Sequence, residues 1–238
     1  MSDGFDPKSA SETIAKTRQR RWGLSVVYGL PVSSIFKEFV ALVQSETEEK
    51  IPETYNWYSA SKLHATLIRG KSAERLLPPI SRHLIENIVC KINKCPSFAL
   101  KLKGTRPEVG GHVRVMCECT NPFPYLTEMD FKDMERETGR GWRPTANTWV
   151  SIGYLKESCN KLTRSKVWQT TISTLSRFSS MMPSEVVVRA VKLLHFTNIT
   201  LTPLETQHWI SIPLNRVQMT IAKIDDLAIN FRQSEGIL

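Results

Sequence analysis

The chain has 238 residues, of which 41% are hydrophobic, enough to bury a sizeable core without help from disulfides or metal. Its formal charge of +9 favours polyanionic partners, nucleic acid above all. The absence of an apolar leader or of any run of about 18 apolar residues excludes a transmembrane helix and makes a cytoplasmic location the expectation. Among the five cysteines only Cys117 and Cys119 are close together, so no zinc pattern forms, and an odd count points to a reducing compartment.

Residues 1–21 are polar and end in Arg18, Arg20 and Arg21, which predicts a flexible basic tail, solvated or partly helical, or an arm lying along a nucleic-acid backbone. From Trp22 the character changes. WGLSVVYGL reads as a strand closed by Gly29 and Pro31, and Ser33 or Ser34 then opens a helix to about Glu48 with Ile35, Phe36, Phe39, Val40 and Val43 at helical spacing. A loop with Pro52 and Asn56 leads into WYSASKLHATLIRGK, residues 57–71. As a strand this stretch puts His64, Thr66 and Ile68 on one face and Ala65 and Leu67 on the other. An imidazole beside a hydroxyl can hold one phosphate, the ring moving a proton while the hydroxyl donates to an oxygen. Arg69 and Lys71 follow as rim candidates, with Lys101, Lys103 and Lys156 further on.

Pro78 and Pro79 should split the helical stretch that runs to Cys95, on which His83 reads as a surface residue. SFALKLK and HVRVMCEC read as two strands of a hairpin joined through GTRPEVGG, with Cys117 and Cys119 packing on one face. A charged helix then runs to Gly139, its acids interleaved with Lys132 and Arg136 as a solvated face. NTWVSIGYL forms the next strand, a helix spans about 162–180, and strands over VVVRAVKLLHFTNITL and HWISIPL finish the pattern around Pro203. His112, His195 and His208 read as strand-face residues with satisfied rings.

Aligning Trp57 with Trp142 places WYSASKLHATLI over WRPTANTWVSIG, so that Thr66 falls on Ser151 and His64 on Trp149. A tryptophan-opened loop feeds an alternating strand twice, which suggests two related half-domains. The fold expected is α+β and two-lobed, a pseudo-twofold repeat of strand-helix-strand units, with antiparallel sheets lining a central cleft and helices outside. Residues 22–215 form this single domain, between the tail and a C-terminal segment at 216–238.

His64-Ala65-Thr66-Leu67 and Trp149-Val150-Ser151-Ile152 together resemble the two signature strands of the 2H phosphoesterase superfamily, the RNA 2′,3′-cyclic phosphodiesterases and 2′-5′ RNA ligase-like proteins. The resemblance implies a metal-independent and cofactor-free cleft that takes an RNA or nucleotide phosphate end; a monomer is the expectation for the chain. It implies catalytic roles for His64, Thr66 and Ser151. Trp149 departs from the family's second histidine, and an indole N–H can donate a hydrogen bond or stack but cannot exchange a proton at neutral pH. The expectation is therefore a phosphate-end binder with weakened or lost phosphodiesterase activity, in which Trp149, Tyr154, Arg69 and Lys71 contact the ligand. Two alternatives stay open: an active phosphodiesterase using His195, Tyr154 or a lysine as substitute acid or base, and a non-catalytic partner-binding scaffold. His195 with Thr197 is also a candidate second motif in its own right.

Overall fold

The computed structural model describes residues 5–18, 20–29, 32–71, 74–75, 78, 80–145, 147–156, 159, 161–198 and 208–215. The elements in chain order are α1 (Pro7–Arg18), β1 (Arg20–Gly29), α2 (Ser34–Lys50), β2 (Tyr55–Trp57), β3 (His64–Gly70), α3 (Arg82–Lys94), β4 (Phe98–Pro107), β5 (His112–Glu118) and α4 (Glu128–Thr138). They continue with β6 (Trp142–Pro144), β7 (Asn147–Leu155), α5 (Lys161–Phe178), β8 (Glu185–Val188), β9 (Ala190–Asn198) and β10 (His208–Pro213). The C-terminal segment 216–238 and the turn at Pro203 lie outside the described residues.

The architecture is α+β, with a curled antiparallel sheet and helices against it. The sheet runs β10-β9-β1-β3-β7-β5-β4-β8, so the two motif strands β3 and β7 are neighbours at its centre with three strands beyond each. Short strands complete this arrangement reciprocally: β2, which precedes β3, pairs with β7, and β6, which precedes β7, pairs with β3. The tryptophans that open the two loops anchor these crossings. Trp57 donates its indole N–H to Glu48 at 2.8 Å, and the fully buried Trp142 donates to the Leu24 carbonyl at 3.2 Å.

Apolar residues at helical spacing bury one face of α2 through Phe36, Phe39, Val40 and Val43, and this helix packs on α5. Helix α3 is capped by Ser81, and α4 by a Thr127/Asp130 capping box. Asp130 departs from the solvated-face expectation: it is buried, holds that cap and accepts from Lys91 at 2.7 Å. Among the described residues, no helix is long and apolar enough to cross a membrane.

Three further expectations need correction. Part of the N-terminal stretch read as a flexible tail is the ordered helix α1, with Ala10 fully buried and Phe5 set edge-on to Trp168 at 4.7 Å. The strand read through 186–201 is two strands, parted at Arg189, that pair at opposite ends of the sheet: β8 with β4, β9 with β1 and β10. Ile68 is buried in the core instead of sharing the face of His64 and Thr66. Between the pairs Val26/Ile68 and Val27/Thr66 strand β3 carries one extra residue, and this bulge reverses the alternation so that Arg69 takes the next position on the Thr66 face.

Candidate functional site

The pairing of Ala65 with Val150 fixes what faces the cleft. Both are buried in the core, so their neighbours in each strand project to the other side. Extending the antiparallel register by one residue either way sets His64 towards Ser151 and Thr66 towards Trp149. The four motif side chains form a compact quadrilateral, and all four line one cavity of about 230 Å³. Its walls come from Ser25 and Val27 on β1, Leu194 and Phe196 on β9, His112 and Arg114 on β5, and Tyr58, Arg69 and Asn147 at the rim.

Short-range contacts hold this floor rigid. Thr145 and Thr148 both donate their hydroxyls to the Thr66 carbonyl at 2.7 Å, which ties the approach to β7 onto β3 at the motif itself. The His64 ring lies against the Lys62 carbonyl through Nδ1 at 2.9 Å. Because a carbonyl only accepts, the proton sits on Nδ1 and Nε2 keeps its lone pair. Burial pushes the His64 pKa down, the Lys62 carbonyl opposes that and the Lys62 ammonium adds to it. His64 is thus a neutral ring with a fixed tautomer at neutral pH, the state a proton acceptor needs.

Trp149 is not free on both faces, because the Arg114 guanidinium lies over its ring at 4.3 Å. Arg114 is also ion-paired to Glu108 in the β4–β5 turn. Its Nε is buried without a hydrogen-bond partner among the described residues, as is Nδ1 of His112. Burial first, and the Arg114 charge second, bring the His112 pKa down to about 4. Tyr58 packs edge-on to Tyr154 at 5.9 Å, and burial raises its phenol pKa.

The sequence-derived residues separate clearly on this map. His64, Thr66, Trp149, Ser151 and Arg69 line the cavity. Tyr154 is not part of the lining; it is paired with His112, its ring centroid 6.2 Å from that of the imidazole. Lys71 is exposed and joins the structure by its backbone N–H to Gly141, outside the cavity lining. His195 is not where a substitute acid would have to be. It alternates on β9 with the cavity residues Leu194 and Phe196 and so points to the opposite side of the sheet, buried at 3% exposure. The side chain of Thr197 lies outside the described residues. Lys103 is ion-paired to Glu118 at 2.6 Å, and neither it, Lys101 nor Lys156 lines the cavity. Sequence reading missed His112 and Arg114. The signal available was the polar alternation His112, Arg114 against the apolar row Val113, Val115, Cys117 in a single strand. Among the described residues, no group of three or more His, Cys, Asp or Glu side chains is placed to hold a metal ion.

The fold is defined by two adjacent motif strands at the centre of a curled antiparallel sheet, with their polar residues on one face. Among solved structures, a conserved protein of unknown function from Agrobacterium tumefaciens, ATU0111, shares it with a TM-score of 0.51 at 14% identity, over 91% of this chain and 92% of that one. Usb1 from Kluyveromyces marxianus aligns with a TM-score of 0.42 at 14% identity, over 82% and 99% of the two chains. The same protein with uridine monophosphate gives 0.38 at 13% identity, over 84% and 100%. No protein-family model matches the sequence, and no curated protein matches it either.

Proposed function

We propose that the cleft binds the phosphate end of an RNA or nucleotide and that its phosphodiesterase chemistry is weakened or lost. The observation that carries this reading is the convergence of His64, Thr66 and Ser151 on one face of β3 and β7, with an indole at the fourth position. Thr66 and Ser151 supply hydroxyl donors on both sides of the space between the strands, and His64 Nε2 supplies a proton acceptor. Proton delivery to a leaving oxygen is what Trp149 cannot provide. A positioned proton transfer contributes about 10²–10⁴-fold, so a cleft with one partner missing retains binding and loses most of its turnover.

A second reading, an active metal-independent 2′,3′-cyclic or 2′-5′ phosphodiesterase, is favoured by one observation: a second imidazole, that of His112, lines the same cavity as His64. A single experiment separates the two. Turnover of a nucleoside 2′,3′-cyclic phosphate and of a 2′-5′-linked oligonucleotide is followed without added metal, beside direct binding of a phosphate-ended oligoribonucleotide, for the wild type, His64→Ala and His112→Gln. Binding with little hydrolysis, the residue of which disappears in His64→Ala while affinity falls only modestly, is the expected result. Brisk hydrolysis abolished by either substitution establishes the second reading. Neither binding nor hydrolysis returns the cleft to a scaffold role.

A further inference from the structure

Resting on the reading of the cleft as a phosphate site, we propose that Arg114 is its anion-binding group, standing in for the charge but not for the proton of the absent second histidine, and that it selects a terminal phosphomonoester. Arg114 comes from neither motif strand. It is opposed to Ser151 across β5 and β7, and Ser151 is in turn opposed to His64 across β7 and β3, so the three form one row over the cavity floor.

The surroundings of the guanidinium fit an anion receptor. The Trp149 ring lies under it at 4.3 Å, and the guanidinium covers that face of the indole against a nucleobase. Glu108 holds one amino group, and Arg106 approaches the same carboxylate at 3.6 Å, so Glu108 is shared between two cations. Arg114 itself lines the cavity, and a phosphate oxygen held there accepts a charge-assisted bond from the guanidinium. A guanidinium stays protonated throughout the physiological range, so it attracts phosphate as an imidazolium would but never releases a proton. A fixed charge of this kind favours the dianionic monoester over a monoanionic cyclic phosphate or diester.

The test is calorimetric titration of the full chain with uridine 3′-monophosphate, uridine 2′,3′-cyclic phosphate and uridine. The wild type should bind the monophosphate in preference to both others. Arg114→Gln should weaken the monophosphate by roughly 10–100-fold, the range for a lost hydrogen bond to a charged group, with uridine unaffected. Glu108→Gln should tighten it severalfold by releasing the competing carboxylate, and Arg114→Lys should fall between Arg114→Gln and wild type. The opposite signs are the signature. Arg114→Gln and Glu108→Gln break the same ion pair, so a merely structural role would move both affinities downward. Parallel weakening, or an unchanged monophosphate affinity in Arg114→Gln while the wild type binds, overturns the assignment of Arg114 and leaves the cleft reading standing. A wild type that does not distinguish the monophosphate from uridine overturns both.

Discussion

At His112 the chain stores a pH dependence that follows from burial. An unperturbed imidazole titrates near 6.5, whereas the His112 ring in its desolvated position beside Arg114 titrates at about 4. Above the unfolded value both states are neutral and the full stability is present. As pH falls from about 6.5 toward 4 the unfolded chain takes up a proton that the folded chain refuses, so stability drops, by ~3 kcal/mol in all, and this contribution ends below the folded value. His64 is lowered as well and acts with the same sign. Urea midpoints measured between pH 7 and 4 should fall in the wild type and fall less steeply in His112→Gln. Trp149→His is the second test at this scale. Returning an imidazole opposite Thr66 should raise hydrolysis of a cyclic phosphate by at least ~10², the low end for positioned proton transfer, and no gain in a folded variant would argue that the cleft is not an attenuated phosphodiesterase site. His64, Thr66, Trp149 and Ser151 were legible because a local pattern, a polar pair at alternate positions of an apolar strand, carries them. His112 and Arg114 show the same alternation, but what makes them site residues is that β5 lies beside β7, and sheet order is not written in local periodicity.

The motif strands are positioned by close backbone approaches that only glycine permits. A Cβ on Gly70, at the end of β3, would sit 1.9 Å from the Leu24 carbonyl oxygen, whereas a Cβ on Gly153, in β7, would sit 2.4 Å from the Trp57 ring. A side chain has more ways to yield than a paired strand does. Gly70→Ala should therefore cost more than Gly153→Ala, with overpacking of this kind worth about 1–3 kcal/mol and Gly70→Ala at or above the top of that range. Thermal melting of the two variants checks the order, which corresponds to shifts of roughly 2–4 °C per kcal/mol in a chain of this size. Helices α2, α4 and α5 were readable from apolar spacing and stop signals, because a helix face is specified within its own sequence. The docking of helix α1 was not: its polar composition resembles a solvated or partly helical tail, and what fixes it is the burial of Phe5 and Ala10 against surfaces made elsewhere in the chain. The break at Arg189 was equally hidden, since both halves of the run are apolar and only the sheet decides that they belong to opposite edges.

Over the whole molecule the charge of +9 is not gathered in the cleft. Arg69 and Arg114 are the permanently charged residues that line it, Lys62 lies close enough to depress His64, and among the described residues no carboxylate lines it. Several of the remaining cations are committed elsewhere, as Lys91 is to Asp130, Lys103 to Glu118 and Arg177 to Glu46. A ligand held at the cleft should thus neutralise two or three phosphate charges, whereas an RNA lying along a generally basic surface would neutralise many more. Counterion release gives the observable. For a single strand the slope of log K against log salt is about −0.7 per phosphate contacted, which sets the expected slope near −1.4 to −2 for a phosphate-ended oligoribonucleotide. Lengthening the oligonucleotide beyond a few residues should leave that slope unchanged, because among the described residues Arg69 and Arg114 are the lysines and arginines that line the cavity. A slope that steepens with each added nucleotide would place binding on the outer surface of the sheet and helices, and the central cleft would cease to be the main nucleic-acid contact.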